Sequence, residues 1–244
     1  MKTMIGVMGS VAGFDPQASE LSYHLGQAIA RHDCAIVTGA CPGLPYDAVR
    51  GAKDAGGLTV GVSPGLNFAE HTVKYNSPWE GFDVLIYTGS GLMGREITGV
   101  RSCDVVVLVG GRSGTLGEFS IAYDEGKLIG VLQGTGGISD HVSTLVEVIH
   151  KDTGAQIVYD ADPDQLISSL VELNAVRREA ANGHTFIAPV SQACEQAACT
   201  ADSIEQAIKQ MEHEIQRIQS NIAEQRQRLE FFREVATMGP AERG

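Results

Sequence analysis

Short runs of apolar residues alternate with amphipathic segments along the first 175 residues. The apolar runs are rich in valine and isoleucine, which predicts buried β-strands. The predicted strands occupy residues 5–8, 35–37, 58–62, 83–87, 105–109, 128–132 and 156–159. Apolar side chains recur three or four positions apart in the intervening segments, as Leu21, Leu25 and Ala28 do, which predicts helices. The predicted helices occupy residues 16–31, 45–55, 92–102, 141–150 and 163–173, with one more starting at residue 115.

This alternation predicts an α/β domain over residues 1–175, with a doubly wound, mostly parallel Rossmann-like sheet covered by helices on both faces. Ligands of such sheets bind beyond the carboxyl ends of the strands. The loops that directly follow strands are therefore the candidate functional segments.

The remainder of the chain has a different pattern. Residues 176–202 lose the periodicity and are interpreted as a linker, and residues 237–244 as a short tail. Between them, apolar residues alternate spacings of four and three for about four heptads, with a single polar interruption at Gln225. This predicts a coiled-coil helix over 203–236 and a homo-oligomer, a dimer or higher. A helix that packs on its own domain is the alternative.

Charge and cysteine content narrow the range of partners. The 244 residues include 30 acidic and 18 basic ones, a net charge of -12, so no nucleic-acid partner is expected. No apolar run approaches the ~20 residues of a membrane span, and no membrane partner is expected. Five scattered cysteines form no disulfide framework, which favours a reduced, cytoplasmic setting. Cys194 and Cys199 lack further ligands at metal-binding spacing, so no metal site is expected.

Three glycine-rich loops follow predicted strands. The first contains Gly9 and Ser10, and the second contains Gly39 and Gly43. The third runs directly into a helix, an arrangement that favours a phosphate at the helix N-terminus. It consists of Gly110, Gly111, Arg112, Ser113, Gly114 and Thr115. Neither the G-x-G-x-x-G motif of dinucleotide-binding domains nor the G-K-[ST] of P-loops is present.

These loops resemble those of the LOG (lonely guy) proteins, long described as lysine decarboxylase-like and part of the SLOG superfamily. Residues 39–52 are similar to the G-G-G-x-x-G-L-M-G-A-V-A-x-A segment of that family, and Gly9-Ser10 matches its first-loop G-S. The stretch from Arg95 through Asp104 to Glu118 matches the family's arginine, aspartate and P-G-G-x-G-T-x-x-E sequence. The resemblance covers residues 4 to about 170 and is carried by three loops in the same order.

LOG enzymes are phosphoribohydrolases, which cleave a nucleoside 5'-monophosphate into the free base and ribose 5-phosphate. The resemblance implies this activity, with Arg95 and Glu118 as catalytic residues, the third loop as the phosphate site and no cofactor. A carboxylate near the anomeric carbon can stabilise the positive charge that builds up on the sugar. An arginine can hold the ligand or the glutamate through paired hydrogen bonds.

Two departures from the family pattern favour an alternative function. Glu96 stands where the family has lysine, and Arg112 replaces the second glycine of the third loop. Divergent relatives with variant loops include molybdenum-cofactor carriers and proposed nucleotide sensors. The alternative is therefore a carrier or sensor of a phosphorylated purine-like ligand such as molybdenum cofactor. Structural roles also remain open, because Thr115 and Glu118 form a T-x-x-E capping box and Arg95 can be a solvated helix residue.

Overall fold

The computed structural model describes residues 1–183. Most of the predicted linker, the coiled-coil helix and the tail lie outside the described residues. The strands are β1 (Met4–Gly9), β2 (Ala35–Thr38), β3 (Leu58–Ser63), β4 (Val84–Tyr87), β5 (Val105–Val109), β6 (Leu128–Leu132) and β7 (Gln156–Asp160). The α-helices are α1 (Pro16–Arg31), α2 (Leu44–Asp54), α3 (Gly91–Arg101), α4 (Ser113–Asp124), α5 (Val142–Ile149) and α6 (Pro163–Gly183). A π-helical turn covers Glu70–Lys74, and a 3-10 turn covers Ser139–His141.

All of these strands pair in parallel, in the order β4-β3-β2-β1-β5-β6-β7. The central strand β1 pairs with β2 on one side and with β5 on the other, so the winding direction reverses between β1 and β5. The predicted fold class, a doubly wound parallel sheet, is confirmed.

The strands are apolar on both faces because helices cover both faces of the sheet. On β5, Val105, Val107 and Val109 pack into a core shared with α1, α2 and α6. Val106 and Leu108 face the opposite core, which is shared with α3, α4 and α5. Each fully buried side chain of this kind contributes roughly 1.5–3 kcal/mol, which explains why the sheet tolerates no polar residue in β5.

Helix α6 continues to Gly183, well past its predicted end near residue 173. Arg177 Nη2 donates a hydrogen bond of 2.7 Å to the carbonyl oxygen of Gly126, and Arg178 Nη2 lies 2.8 Å from Oδ2 of Asp104. These two arginine contacts hold the extra turns against the domain without an apolar stripe. None of the helices within residues 1–183 combines the length and the apolar character that crossing a membrane requires.

Candidate functional site

A cleft of about 310 Å³ opens at the carboxyl ends of β1 and β5, where the winding direction reverses. Open parallel sheets bind their ligands at this point, because the loops that follow the two strands diverge there. The volume is at the low end of the range for small-molecule sites. The lining residues are Val7, Met8, Gly9, Ser10, Val11, Gly39, Cys41, Pro45, Arg95, Glu96, Arg112, Ser113, Gly114, Thr115 and Glu118.

Most of the residues selected from the sequence line this cleft. They come from the first loop (Gly9, Ser10), the second (Gly39), α3 (Arg95), and the third loop with α4 (Arg112, Ser113, Gly114, Thr115, Glu118). Gly43, Gly110 and Gly111 are not among the lining residues.

These three glycines shape the loops behind the cleft. All three have positive φ, a conformation that disfavours any side chain. The N–H of Gly111 donates to Ser10 Oγ at 2.7 Å, and the N–H of Gly110 donates to Thr135 Oγ1 at 2.8 Å. Because these amides already have partners, Gly110 and Gly111 hold the third loop in place, and any anion must bind to other groups.

The first turn of α4 has the free donors that an anion needs. The helix begins at Ser113, its N-cap is Arg112, and no side chain caps it. Its first backbone hydrogen bond runs from the N–H of Leu116 to the carbonyl oxygen of Arg112, at 2.9 Å. Within the described part of the chain, the N–H groups of Ser113, Gly114 and Thr115 have no acceptor. A helix N-terminus with free amides at a cleft is a ready anion-binding site.

The same geometry excludes the capping-box interpretation of Thr115 and Glu118. With Arg112 at the N-cap, Thr115 lies inside the first turn and Glu118 lies in the helix interior. Neither side chain caps the helix, so the carboxyl of Glu118 is available to the cleft.

Arg95 and Glu118 form a buried pair on the wall of the cleft. They are 8% and 6% exposed, and Nη1 of Arg95 lies 3.7 Å from Oε1 of Glu118. A Cβ atom at Gly39 would overlap the guanidinium, so only glycine leaves room for Arg95 in this position. The Nε of Arg95 is buried and has no hydrogen-bond partner among residues 1–183. Arg95 is therefore not a solvated helix residue.

Burial dominates the electrostatics of the acidic groups in the cleft. It raises the pKa of Glu118 to about 7, with the charge of Arg95 opposing and that of Glu96 reinforcing the shift. Burial likewise raises the pKa of Glu96 against the opposing effect of Arg95, and it raises the pKa of the Cys41 thiol. The site can therefore hold a proton at neutral pH.

Glu96 is the site residue that the sequence did not reveal, because it was noted only as a departure from the LOG pattern. The residue is 6% exposed, its carboxylate oxygens reach the cleft, and no hydrogen bond or ion pair within residues 1–183 involves them. It lies along the first turns of α4, where a Cβ atom at Gly114 would be 3.5 Å from its Oε1 and one at Gly117 would be 3.1 Å from its Oε2. The available signal was its position next to Arg95 on a helix that borders the cleft. Over the same described range, no group of three or more His, Cys, Asp or Glu residues is placed to hold a metal ion.

The family model described as the SLOG cluster4 family matches residues 2–167, more than half of the chain. The chain belongs to this family. A curated relative from Archaeoglobus fulgidus, described only as an uncharacterized protein, is 32% identical to this SLOG protein over 134 residues. That match covers 54% of this chain and 82% of the relative.

Two solved structures of molybdenum-cofactor proteins are similar to this SLOG domain. The molybdenum cofactor binding protein from Rippkaea orientalis has 29% sequence identity and a TM-score of 0.60, over 71% of this chain and 98% of that one. The molybdenum cofactor carrier protein MCP from Chlamydomonas reinhardtii has 29% identity and a TM-score of 0.58, over 71% and 99%. Both likenesses extend over nearly the whole of the other chain, so they concern the α/β domain as a unit.

Proposed function

We propose that this SLOG protein binds a small phosphorylated, purine-like ligand such as molybdenum cofactor and carries it without cleaving it. The first turn of α4 carries the proposal, because three unpaired amides face the cleft at the switch point of the sheet. The likeness to two molybdenum-cofactor proteins supports the choice of ligand.

In this proposal the phosphate lies on the N–H groups of Ser113, Gly114 and Thr115. The buried Arg95, which lines the cleft, adds a charged donor from α3 through its guanidinium. Arg112, at the N-cap of α4, adds a second guanidinium at the wall of the cleft. The rest of the ligand lies along the other lining residues of the cleft, among them Val11, Cys41 and Pro45.

A phosphoribohydrolase is the second candidate, favoured by the Arg95–Glu118 pair in the same cleft. Stabilising a positive sugar requires Glu118 as a carboxylate. Burial raises the pKa of Glu118 to about 7, so a large fraction of the molecules hold it protonated at neutral pH. With Glu118 in this state, the cleft is better suited to holding a ligand than to this chemistry.

The direct test measures binding and cleavage on the same preparation. GMP and AMP are titrated calorimetrically beside guanosine and adenosine, and release of ribose 5-phosphate is assayed in parallel. We expect saturable binding of the monophosphates, weaker binding of the nucleosides, and no release of base. Release of base at a steady rate would establish the hydrolase instead, and equal affinity for nucleosides would refute the phosphate site.

One substitution measures the contribution of a single backbone N–H group of α4 to ligand binding. Ser113→Pro removes a free N–H at the first helical position, where proline is tolerated. We expect monophosphate affinity to fall on the order of ten-fold, the size of one charge-assisted hydrogen bond. Ser113→Ala keeps the N–H and is the matched control, with affinity close to that of the wild type. A similar loss in both variants would assign the effect to the hydroxyl.

A further inference from the structure

Glu96 places an unpaired buried carboxylate beside the donors that the proposed function assigns to phosphate. It is 6% exposed and lines the cleft, and α4 accommodates it with a face that has no side chains, at Gly114 and Gly117. Nothing within the described residues donates a hydrogen bond to its oxygens. Because the carboxylate oxygens border the cleft, water, a ligand or a proton can supply the hydrogen-bond donor that the described residues do not.

The other charged and titratable groups that line the cleft are not unpaired acceptors at the anion site. Arg95, the neighbour of Glu96 on α3, lies 3.7 Å from Glu118 of α4. Arg112, before α4, is exposed, and Cys41, in the loop after β2, holds its proton because burial raises the pKa of its thiol. Arg95 thus pairs with Glu118, whereas no hydrogen bond or ion pair within residues 1–183 reaches the carboxylate of Glu96, which remains the acceptor at the anion site.

An anion without a proton can only accept hydrogen bonds, and the same is true of the ionised carboxylate of Glu96. The two groups would therefore repel each other. A phosphomonoester differs from other oxyanions here, because its second ionisation occurs at a pKa of about 6 and its monoanion retains a P–OH donor. Sulfate and phosphodiesters have no such proton near neutral pH. The pair of a phosphate and Glu96 can share one proton, whereas a sulfate and Glu96 cannot.

We infer that Glu96 accepts a hydrogen bond from the P–OH group of the ligand and so selects phosphomonoesters over sulfates and phosphodiesters. This inference rests on the proposed function and specifies the ligand class of the same cleft: a terminal, singly esterified phosphate. Ligands that present their phosphate within a diester are excluded, including cofactors conjugated to a nucleotide with no terminal phosphate.

The wild-type protein tests the inference with matched probes at neutral pH. Inorganic phosphate is compared with sulfate as a competitor of GMP, and GMP is compared with its 5'-methyl phosphodiester. We expect the protonatable member of each pair to bind at least on the order of ten-fold more tightly, because its analogue lacks the donor that the site requires. Equal affinities overturn the inference and leave the proposed function intact. Absence of any binding of GMP or phosphate removes both.

Two substitutions separate hydrogen bonding from charge. Glu96→Gln supplies an amide N–H that donates to any anion oxygen, so sulfate affinity rises and the preference for phosphate falls to near unity. Glu118→Gln replaces the other glutamate of the cleft in the same way, and it changes both affinities by a similar factor while the preference remains. An unchanged preference in Glu96→Gln, or an equal collapse in both variants, would show that Glu96 is not the discriminating group. Should Glu96→Gln fail to fold, the wild-type comparison of GMP with its diester decides alone.

Discussion

At the scale of one residue, the burial of Glu118 in the candidate site lowers the stability of the folded protein. Its carboxyl is buried on the interior face of α4, and that burial raises its pKa from 4.5 to about 7. The folded protein therefore binds this proton more tightly than the unfolded chain does. Ionising Glu118 as the pH rises from about 4.5 to about 7 lowers the free energy of unfolding, and the loss is complete above that range.

Glu118→Gln removes this titration, so its stability relative to the wild type should increase with pH. The pKa of Glu118 already includes the effect of Arg95, so losing that contact adds no separate dependence on pH. We expect the difference in unfolding free energy to shift in favour of the variant by on the order of 3 kcal/mol between the two ends of that pH range. Urea denaturation at both pH values measures it. Glu147→Gln, at an exposed carboxylate, is the control with little change, and a difference that is flat with pH would contradict the expectation.

Some residues of the candidate site were predictable from the sequence, and others were not. Glycine loops and the LOG resemblance were sufficient to select Ser10, Arg95 and Glu118, because those signals are local in sequence. The role of Gly110 and Gly111 was not predictable, since it depends on Ser10 and Thr135, which come from other loops. Glu96 was hidden for the same reason: only packing of α3 against Gly114 and Gly117 shows that it is buried.

At the scale of elements, helices α1 and α2 approach each other through glycines. A Cβ atom at Gly26 would overlap the carbonyl oxygen of Ala48, and one at Gly51 would overlap the carbonyl oxygen of Tyr23. The two backbones are therefore in direct contact. This contact holds α2 below the second loop, whose Gly39 leaves room for Arg95.

Gly26→Ala should separate these helices and destabilise the domain by about 1–3 kcal/mol, or more where the backbones cannot move apart. Gly99→Ala is the matched control, because a Cβ at this buried helical glycine would be no closer than 3.8 Å to Met8. That change should be neutral or stabilising, since alanine favours a helix by about 1 kcal/mol over glycine. Thermal unfolding of both variants measures the contrast. Equal melting temperatures would show that α1 and α2 adapt without cost.

The elements themselves were largely predictable, because apolar runs and helical periodicity are strong signals in a parallel sheet. Strands β5 and β6 have the predicted bounds, and the other strands differ by one or two residues. The extension of α6 was missed since it depends on Arg177 and Arg178, whose partners are distant in sequence. The π-helical turn was missed as well, because His71 holds it through hydrogen bonds to Ser63 and to the carbonyl oxygen of Pro78.

At the scale of the whole molecule, the sequence predicts self-association through residues 203–236, which lie outside the described residues. The heptad positions present isoleucine, methionine, leucine and phenylalanine, and burying each such side chain is worth roughly 1.5–3 kcal/mol. Gln225 on the same seam would set the register of the helices.

Removing residues 200–244 should therefore lower the number of subunits per particle, obtained by dividing the mass from light scattering by the mass of one chain, while ligand binding by the α/β domain persists. The full chain, measured at the same concentration, is the control. An unchanged number of subunits after truncation would show that the α/β domain assembles without these residues. A monomeric full chain would contradict the expected oligomer.

The polar contacts of the C-terminal part of α6 reach the sheet at the amino ends of its strands. Asn174 contacts Thr3 just before β1, Arg178 contacts Asp104 just before β5, and Arg177 contacts Gly126 and Gln156 at the start of β6 and β7. All of these anchors lie at the amino ends of strands, whereas the cleft opens at the carboxyl ends. The C-terminal part of α6 thus contacts the side of the α/β domain opposite the cleft entrance. For binding measurements, the α/β domain can be immobilised on a biosensor chip from this side, with its cleft facing the solution.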